Sequence, residues 1–320
     1  MNDIRSLLSH LLSAPVRPQA IDSVESWWAS HRQATAGVQP TVHRAVLGGF
    51  VADRLGYAFA SGYREALCLA IPDVGDDRLC LCATEKGGAH PRAIASALTP
   101  AGDGSWRLSG RKEYASLGAH ADGYIAIVCA GQKADGRKEL AAVRIPKGRA
   151  GVTLEPMPPT PFIPEIPHAR ISFDDVHVAA DERLPGDGYD RYLKPFRTVE
   201  DIHVQAALLG WLLQVGRRSG WPQPLLEEVV ACIAALVGLI PTSGDPMTEL
   251  MQPCTHIALA GLLAQIQRVV TASESHWATS EQATRERWQR DRPLLMIAGK
   301  ARARRRQVAW QRATEGGAPR

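Results

Sequence analysis

Four short motifs stand in a fixed order between Leu79 and Val178, and this stretch decides the fold. In chain order they read Leu81-Cys82-Ala83-Thr84-Glu85, Leu108-Ser109-Gly110-Arg111-Lys112-Glu113-Tyr114-Ala115-Ser116, Ala121-Asp122-Gly123-Tyr124-Ile125-Ala126-Ile127-Val128 and Ile171-Ser172-Phe173-Asp174-Asp175-Val176-His177-Val178. Short apolar runs separated by turn residues at this spacing are typical of antiparallel strands. We therefore expect residues 78–180 to form a β-barrel or a β-sandwich.

The regions on either side of this stretch carry helical patterns. An apolar stripe from Val42 to Leu69 predicts one long helix in the N-terminal region. After Pro195 the pattern predicts four helices with short joints, the last over residues 285–312, as in an up-down bundle. We thus expect an N-terminal helical domain over residues 1–77, the middle β domain over 78–180 and a C-terminal helical bundle over 190–314.

The composition is that of an ordinary soluble globular protein with two or three domains. The 320 residues are 45% hydrophobic and 22% charged, which does not fit a disordered or a fibrous chain. No apolar run approaches the roughly 20 residues that a membrane helix needs. The N-terminus, Met1-Asn2-Asp3-Ile4-Arg5, has no signal-peptide core. We therefore expect a cytoplasmic protein that does not contact a membrane.

Two smaller features bear on metals and on charged partners. Cys80 and Cys82 form a C-x-C motif, but no second pair stands at metal-ligand spacing, so we expect no metal site and two buried thiols. The last predicted helix carries a basic cluster of Lys300, Arg302, Arg304, Arg305 and Arg306. Two interpretations stay open: a solvated helix face, or a contact with an anionic ligand or nucleic acid. We favour the first and do not expect nucleic-acid binding.

Together, the four motifs and the order of helices, barrel and bundle resemble the acyl-CoA dehydrogenase family of flavoproteins. The resemblance is strongest over residues 79–215. It implies an α+β fold with a shortened N-terminal helical region, a middle antiparallel β-barrel and a C-terminal four-helix bundle. It also implies FAD as the cofactor.

The resemblance assigns four residues to the flavin. Thr84 matches the position whose backbone and hydroxyl contact the isoalloxazine ring, and Ala83 matches the residue before it. Tyr114 matches the aromatic position that packs on the flavin, and Ser116 matches a hydroxyl position near the ring. Backbone groups and small hydroxyls suit a planar ring that must be oriented by the protein.

The resemblance also points to a catalytic base. Acyl-CoA dehydrogenation needs a carboxylate that takes the α-proton while a hydride leaves the β-carbon for flavin N5. A minority of the family places this acid near the start of the first bundle helix, and an alignment on Ala207-Leu208-Leu209-Gly210 puts Glu200 there. An acid in the first turn of a helix is also favoured by the helix dipole alone. We expect His203 to be a hydrogen-bonded histidine on the helix surface.

Three functions follow from these residues. The first is an FAD-dependent acyl-CoA dehydrogenase-like oxidoreductase that desaturates an acyl thioester of CoA or of a carrier protein. The second is a non-catalytic scaffold that has lost the flavin, because Ala89-His90-Pro91 replaces the family's Gly-Ser-Asp. The third is a flavin monooxygenase on the same fold. The family further implies a homodimer or homotetramer, and an electron-accepting flavoprotein as a partner of the first.

Overall fold

A computed structural model describes residues 1–16 and 19–315 of the chain. The chain divides into two compact units. The sheet unit comprises Ala70–Thr160 and Ile166–Arg197, and the helical unit comprises Met1–Leu69, Pro161–Glu165 and Thr198–Arg320. Both regions with helical patterns fall largely in the second unit. The three domain boundaries inferred from the sequence stay a prediction.

The sheet unit contains seven strands. They are β1 (Leu79–Cys82), β2 (Ala97–Pro100), β3 (Trp106–Ser116), β4 (Gly123–Gln132), β5 (Lys138–Pro146), β6 (Val152–Pro156) and β7 (His168–Val178). Their order is β1-β4-β2-β3-β7-β6, and β5 also pairs with β4. The pairs β2–β3, β3–β7, β6–β7 and β4–β5 are antiparallel.

Two pairings correct the prediction of a wholly antiparallel barrel. Both β1 and β2 run parallel to β4, with Leu79 opposite Gly123 and Ala97 opposite Cys129. The chain keeps its direction from β1 to β2, so the two short strands follow one another along the same edge of β4. A longer connection than a hairpin makes such parallel pairing possible.

The core of the sheet unit is built from alternate residues of its strands. Tyr124, Ala126 and Val128 of β4 lie in the buried cluster, as expected for side chains that point to one face of a strand. Cys80 and Cys82 of β1 lie in the same cluster, with their Sγ atoms 3.8 Å apart. The prediction of two buried thiols on one face is confirmed.

The helical unit is formed around ten helices of the described residues. They are α1 (Ile4–Ser13), α2 (Val24–Thr35), α3 (Thr41–Val51), α4 (Leu55–Ala70), α5 (Lys194–Arg218), α6 (Gln223–Gly238), α7 (Pro246–Glu249), α8 (Pro253–Ser273), α9 (Gln282–Asp291) and α10 (Gly299–Thr314). Within the part of the chain that the structure describes, no helix has both the length and the apolar character to cross a membrane.

Two helices that the apolar pattern predicts as continuous are each broken. The helix expected from Val42 to Leu69 is divided into α3 and α4, because Ala52 turns to an extended conformation with ψ 139°. The helix expected over residues 285–312 is divided by the 3-10 turn Arg292–Met296. Pro293 lies in that turn, and proline cannot donate the hydrogen bond of a helix interior. Apolar periodicity continues across both breaks, which is why it does not reveal them.

Small residues let α5 approach α3 closely. A Cβ atom added to Gly49 would lie 1.9 Å from the carbonyl oxygen of Ala207, and one added to Gly210 would lie 2.3 Å from that of Val46. Neither position has room for a side chain. The Ala207–Gly210 segment therefore serves the packing of α5 against α3.

His203 is buried in this packing, which corrects its expected place on the helix surface. Its Nδ1 lies 2.8 Å from the Val199 carbonyl oxygen, and its Nε2 lies 2.9 Å from Thr41 Oγ1. A carbonyl only accepts, so Nδ1 carries the proton and Nε2 accepts from the hydroxyl. Burial lowers the pKa of His203 to about 4, because a charged imidazolium would lose its hydration there.

This low pKa predicts a loss of stability in weak acid. The unfolded chain, with an ordinary histidine pKa near 6.5, binds more protons than the folded chain between about pH 6.5 and 4, so stability falls as the pH falls through that range. We expect proton binding to His203 in the unfolded chain to lower the free energy of unfolding by roughly 2 kcal/mol between pH 7 and pH 5. Urea unfolding should show a flatter pH dependence for His203→Gln than for the wild type. Parallel pH curves for the two proteins would contradict this assignment.

Candidate functional site

The loop after β1 carries Ala83 and Thr84. Ala83 is buried, and Thr84 is partly exposed. The chain then folds into a tight turn, in which the Glu85 N–H donates to the Gly88 carbonyl at 3.1 Å and the Gly88 N–H donates to the Glu85 carbonyl at 2.7 Å. Gly88 has φ +96°, a conformation that glycine adopts at no steric cost. The turn leads the chain away from the sheet directly after Thr84.

A backbone hydrogen bond brings this loop next to the motif in β3. The Glu113 N–H donates to the Thr84 carbonyl oxygen at 2.7 Å. Thr84 therefore lies beside the residue that precedes Tyr114, although Thr84 and Tyr114 are 30 positions apart in the chain. The two segments that the sequence assigned to the flavin meet at one place.

Tyr114 has an unusual backbone and an exposed ring. Its φ is +56°, and it lies where the β3–β7 register shifts between Lys112 and Ala115. A left-handed conformation is rare for a bulky residue, and such residues cluster at binding sites where the surrounding structure holds them in place. The side chain is 59% exposed. Tyr114 is thus an aromatic presented at the surface by a β-bulge, and not part of the core.

Ser116 lies at the end of the same strand. It pairs with His168 of β7 and is partly buried. Ala115, between Tyr114 and Ser116, points into the core. The structure thus places the loop of Ala83 and Thr84 beside the end of β3 that carries Tyr114 and Ser116, and we call this place the cofactor edge.

A buried ion pair, which the sequence alone does not reveal, links the loop after β1 to strand β3. Lys112 Nζ lies 2.6 Å from Glu85 Oε1, and the Lys112 side chain is fully buried. Lys112 also donates to the Ile127 carbonyl. The Glu85 carboxylate accepts three further hydrogen bonds, from the Ala95 N–H at 2.7 Å and from the N–H and hydroxyl of Ser96 at 3.1 and 2.8 Å. The ammonium group thus has two acceptors and the carboxylate has four donors.

The protonation of this pair follows from burial and charge together. Burial raises the pKa of Glu85, but the hydrogen bond and the charge of Lys112 outweigh it and hold the pKa below its usual value. Burial lowers the pKa of Lys112, and the Glu85 carboxylate opposes that shift in part. Both residues belong to the matched motifs, but their spacing in the sequence does not indicate that they form a pair.

In the helical unit, Glu200 lies in the second turn of α5 and is partly exposed. It is not a first-turn acid, because α5 begins at Lys194. Asp201 beside it is buried and accepts hydrogen bonds from Arg302, with Nε at 3.0 Å and an Nη at 2.7 Å, and from Arg305. Arg305 also donates to Thr198 Oγ1 at 3.2 Å. Two arginines of α10 therefore hold the turn of α5 that carries Glu200.

The predicted basic cluster thus divides. Arg302 and Arg305 turn inward to Asp201, whereas Lys300, Arg304 and Arg306 stay exposed. Among residues 1–16 and 19–315, no three His, Cys, Asp or Glu side chains are grouped in a way that could hold a metal ion.

The Glu85–Lys112 pair should be required for the stability of the sheet unit. Lys112→Met leaves a buried carboxylate without its cation, and we expect a loss of about 3–5 kcal/mol in unfolding free energy. The double variant Glu85→Gln/Lys112→Met removes both charges and should recover part of the loss. Urea unfolding monitored by circular dichroism measures both effects. A Lys112→Met protein as stable as the wild type would show that the pair is dispensable.

Comparisons with known proteins agree with the fold described above. Residues 80–176 match the family model described as the acyl-CoA dehydrogenase middle domain. No curated protein matches the chain in sequence. Among solved structures, butyryl-CoA dehydrogenase from Megasphaera elsdenii is similar with a TM-score of 0.67, at 15% identity, over 98% of this chain and 99% of that one.

Two further structures are similar over almost their whole length. The prolyl acyl carrier protein oxidase AnaB has a TM-score of 0.66 at 14% identity, over 96% of this chain and 97% of its own. PigA with FAD and proline has a TM-score of 0.67 at 14% identity, over 98% and 94%. At these identities the likeness shows the fold alone. The fold expected from the sequence is confirmed. The middle of the chain thus matches the acyl-CoA dehydrogenase family, and the chain as a whole shares the fold of these solved structures.

Proposed function

We propose that this protein is a flavin-dependent oxidoreductase that uses FAD to desaturate an acyl thioester. The observation that carries the proposal is the exposed Tyr114 ring, held beside Thr84 by the hydrogen bond between Glu113 and the Thr84 carbonyl. The fold supports it, since similar structures include PigA with FAD and KijD3 with FMN. Binding a planar cofactor gives a reason for a bulky residue at φ +56° that packing does not supply.

The residues at this edge suit a flavin. Tyr114 offers an exposed aromatic face for a planar ring, and Thr84 and Ser116 offer hydroxyls that can donate to ring oxygens and nitrogens. Ala83 is small, so the backbone before Thr84 can be approached closely. When bound, the flavin accepts a hydride from the substrate. The buried Glu85–Lys112 pair touches neither the ring nor the substrate in this assignment, and it fixes the loop on which Thr84 stands.

Glu200 is the residue that we assign as the base. Of the two adjacent acids in α5, Asp201 is committed to Arg302 and Arg305 and is buried, so it is unsuited to proton transfer. Glu200 is partly exposed. Its carboxylate would accept the proton from the α-carbon of the thioester, where the neighbouring carbonyl makes that proton acidic. The substrate would be carried by CoA or by a carrier protein, and an electron-accepting flavoprotein and a homo-oligomeric assembly belong to the same proposal.

One observation favours a scaffold that has lost the flavin. The family's Gly-Ser-Asp segment is replaced by Ala89-His90-Pro91, and here a 3-10 turn begins at Pro91 with the His90 side chain accepting from the Arg92 N–H. Arg197 also donates to the Ala89 carbonyl at 3.1 Å. This segment therefore uses its hydrogen-bonding groups within the protein.

Replacement of Tyr114 tests the flavin assignment. Tyr114→Ala should lower FAD affinity roughly tenfold, because an aromatic contact with a flat ligand contributes on the order of 1 kcal/mol or more. Tyr114→Phe keeps the ring and should bind FAD nearly as well as the wild type. The measurement is a fluorescence titration of the apoprotein with FAD, with Tyr189→Ala as a control for loss of a tyrosine elsewhere. Equal affinity of Tyr114→Ala and wild type would remove Tyr114 from the cofactor site.

Replacement of Glu200 tests the base. Glu200→Gln keeps the size of the side chain and loses the proton acceptor, so we expect full FAD occupancy and a fall of at least about 100-fold in exchange of the substrate α-proton with solvent. Mass spectrometry of a thioester in heavy water measures that exchange. Glu228→Gln, at an exposed acid of α6, should leave exchange unchanged. Exchange by Glu200→Gln at the wild-type rate would exclude Glu200 as the base.

A further inference from the structure

The surface around α10 combines exposed apolar residues with positive charge. Met296 and Ile297, just before the helix, are 67% and 62% exposed, and Trp310 within it is 53% exposed. These three are among the few large hydrophobic residues that stay exposed in the described part of the chain. Single exposed residues of this kind are common, but two of these precede α10 and the third lies near its end, so they lie near both ends of the helix.

The same element is strongly basic. The α10 sequence, from Gly299 to Thr314, contains no Asp or Glu. Lys300, Arg304 and Arg306 are exposed, and within the residues that the structure describes none of them forms an ion pair. Lys300 and Arg304 are four residues apart, as are Arg306 and Trp310, so the members of each pair are adjacent on the helix surface. We call Met296, Ile297, Lys300, Arg304, Arg306 and Trp310 the α10 face.

The hydrogen bonds that hold α10 against α5 come from other side chains. Arg302 and Arg305 lie on its inner side, where they bind Asp201, and Ala309 on that side is buried. A substitution on the α10 face can therefore change recognition without removing the contacts that hold the helix. Arginine, tryptophan and methionine are also the residue types that are enriched in protein interfaces.

We propose that the α10 face is a docking surface for an acidic protein. Positive charges without partners recruit a negative surface, and the three apolar side chains provide anchors that such a surface can cover. Two copies of this face would bring like charges together, so a second copy of the chain is disfavoured as the occupant. Nucleic acid would use the basic residues but has little use for Met296 and Ile297, which favours a protein.

The proposed function supplies a partner of this kind. If the substrate is an acyl group on a carrier protein, the carrier must be held while its thioester reaches the site, and an acidic carrier fits the charge of the α10 face. This identification rests on the proposed function, whereas the docking of an acidic protein does not. If the partner is the carrier protein, oxidation of the carrier-bound thioester depends on the α10 face, whereas oxidation of the CoA thioester does not.

The test uses the full chain and a purified acidic acyl carrier protein in its holo form as the probe. Isothermal titration calorimetry should show saturable binding that weakens as salt is raised, because the charges are exposed. Arg304→Glu and Trp310→Ala should each weaken binding roughly tenfold. Arg5→Glu makes the same charge change at an exposed position of α1 and should have no effect. Circular dichroism checks that each variant is folded.

Several results would overturn the proposal. No saturable binding of the carrier would do so, as would equal losses for Arg304→Glu and Arg5→Glu. Sedimentation that shows a wild-type oligomer dissociated by Trp310→Ala would assign the face to a second copy instead. Tighter binding of a DNA duplex, lost in Arg304→Glu but not in Trp310→Ala, would assign it to nucleic acid. Flavin occupancy and oxidation of a CoA thioester are measured alongside, so that failure of the proposed function is seen separately from failure of docking.

Discussion

The buried ion pair between Glu85 and Lys112 is the constraint on which the candidate cofactor edge depends. A fully buried ammonium group is tolerated only with a close counter-charge and further hydrogen bonds, and Glu85 and the Ile127 carbonyl provide them. The pair joins the loop after β1 to the bulged part of β3. Because the carboxylate also accepts from Ala95 and Ser96, the whole segment between Glu85 and Ser96 is closed on itself. Thr84 and Tyr114 stand on the two chain segments that this pair fastens together.

The helical unit also buries two carboxylates beside basic side chains, one in α5 and one in α4. Asp201 is buried between Arg302 and Arg305, and Glu65 is buried among His31, Arg44 and Arg64. In both cases a buried carboxylate accepts hydrogen bonds from two arginine side chains. The two inward arginines also explain how α10 can be so basic and still pack, since the charge that it buries is paired and the charge that it exposes is solvated.

The sequence predicted the parts of the fold that local patterns encode. The short apolar runs and the turn signals between them indicated the sheet, and the motif order indicated the family. The breaks between α3 and α4 and between α9 and α10 were not predicted, because the apolar stripe continues across both. The burial of His203 was not predicted either, since its partner Thr41 lies 162 residues away. The Asp201–Arg302 contact spans 101 residues and has no local signal.

The sequence proposes the members of the candidate site but not its geometry. Thr84 and Tyr114 were chosen by resemblance, and the structure adds the hydrogen bond that places Thr84 beside the residue that precedes Tyr114. The left-handed backbone of Tyr114 could not be predicted from the sequence, because glycine is the only residue type that reliably indicates a positive φ. Lys112 and Glu85 both belong to the matched motifs. Their contact joins the loop after β1 to β3, and it becomes visible only when the chain is folded.

The visible absorption spectrum of the purified protein, recorded before and after addition of FAD, tests the central claim most directly. The account predicts flavin bands, shifted from those of free FAD, that saturate near one cofactor per chain. A colourless protein that also fails to bind added FAD would contradict it. The exposed Tyr114 would then have no cofactor to explain it, and the chain would be a member of the family that keeps the fold as a scaffold.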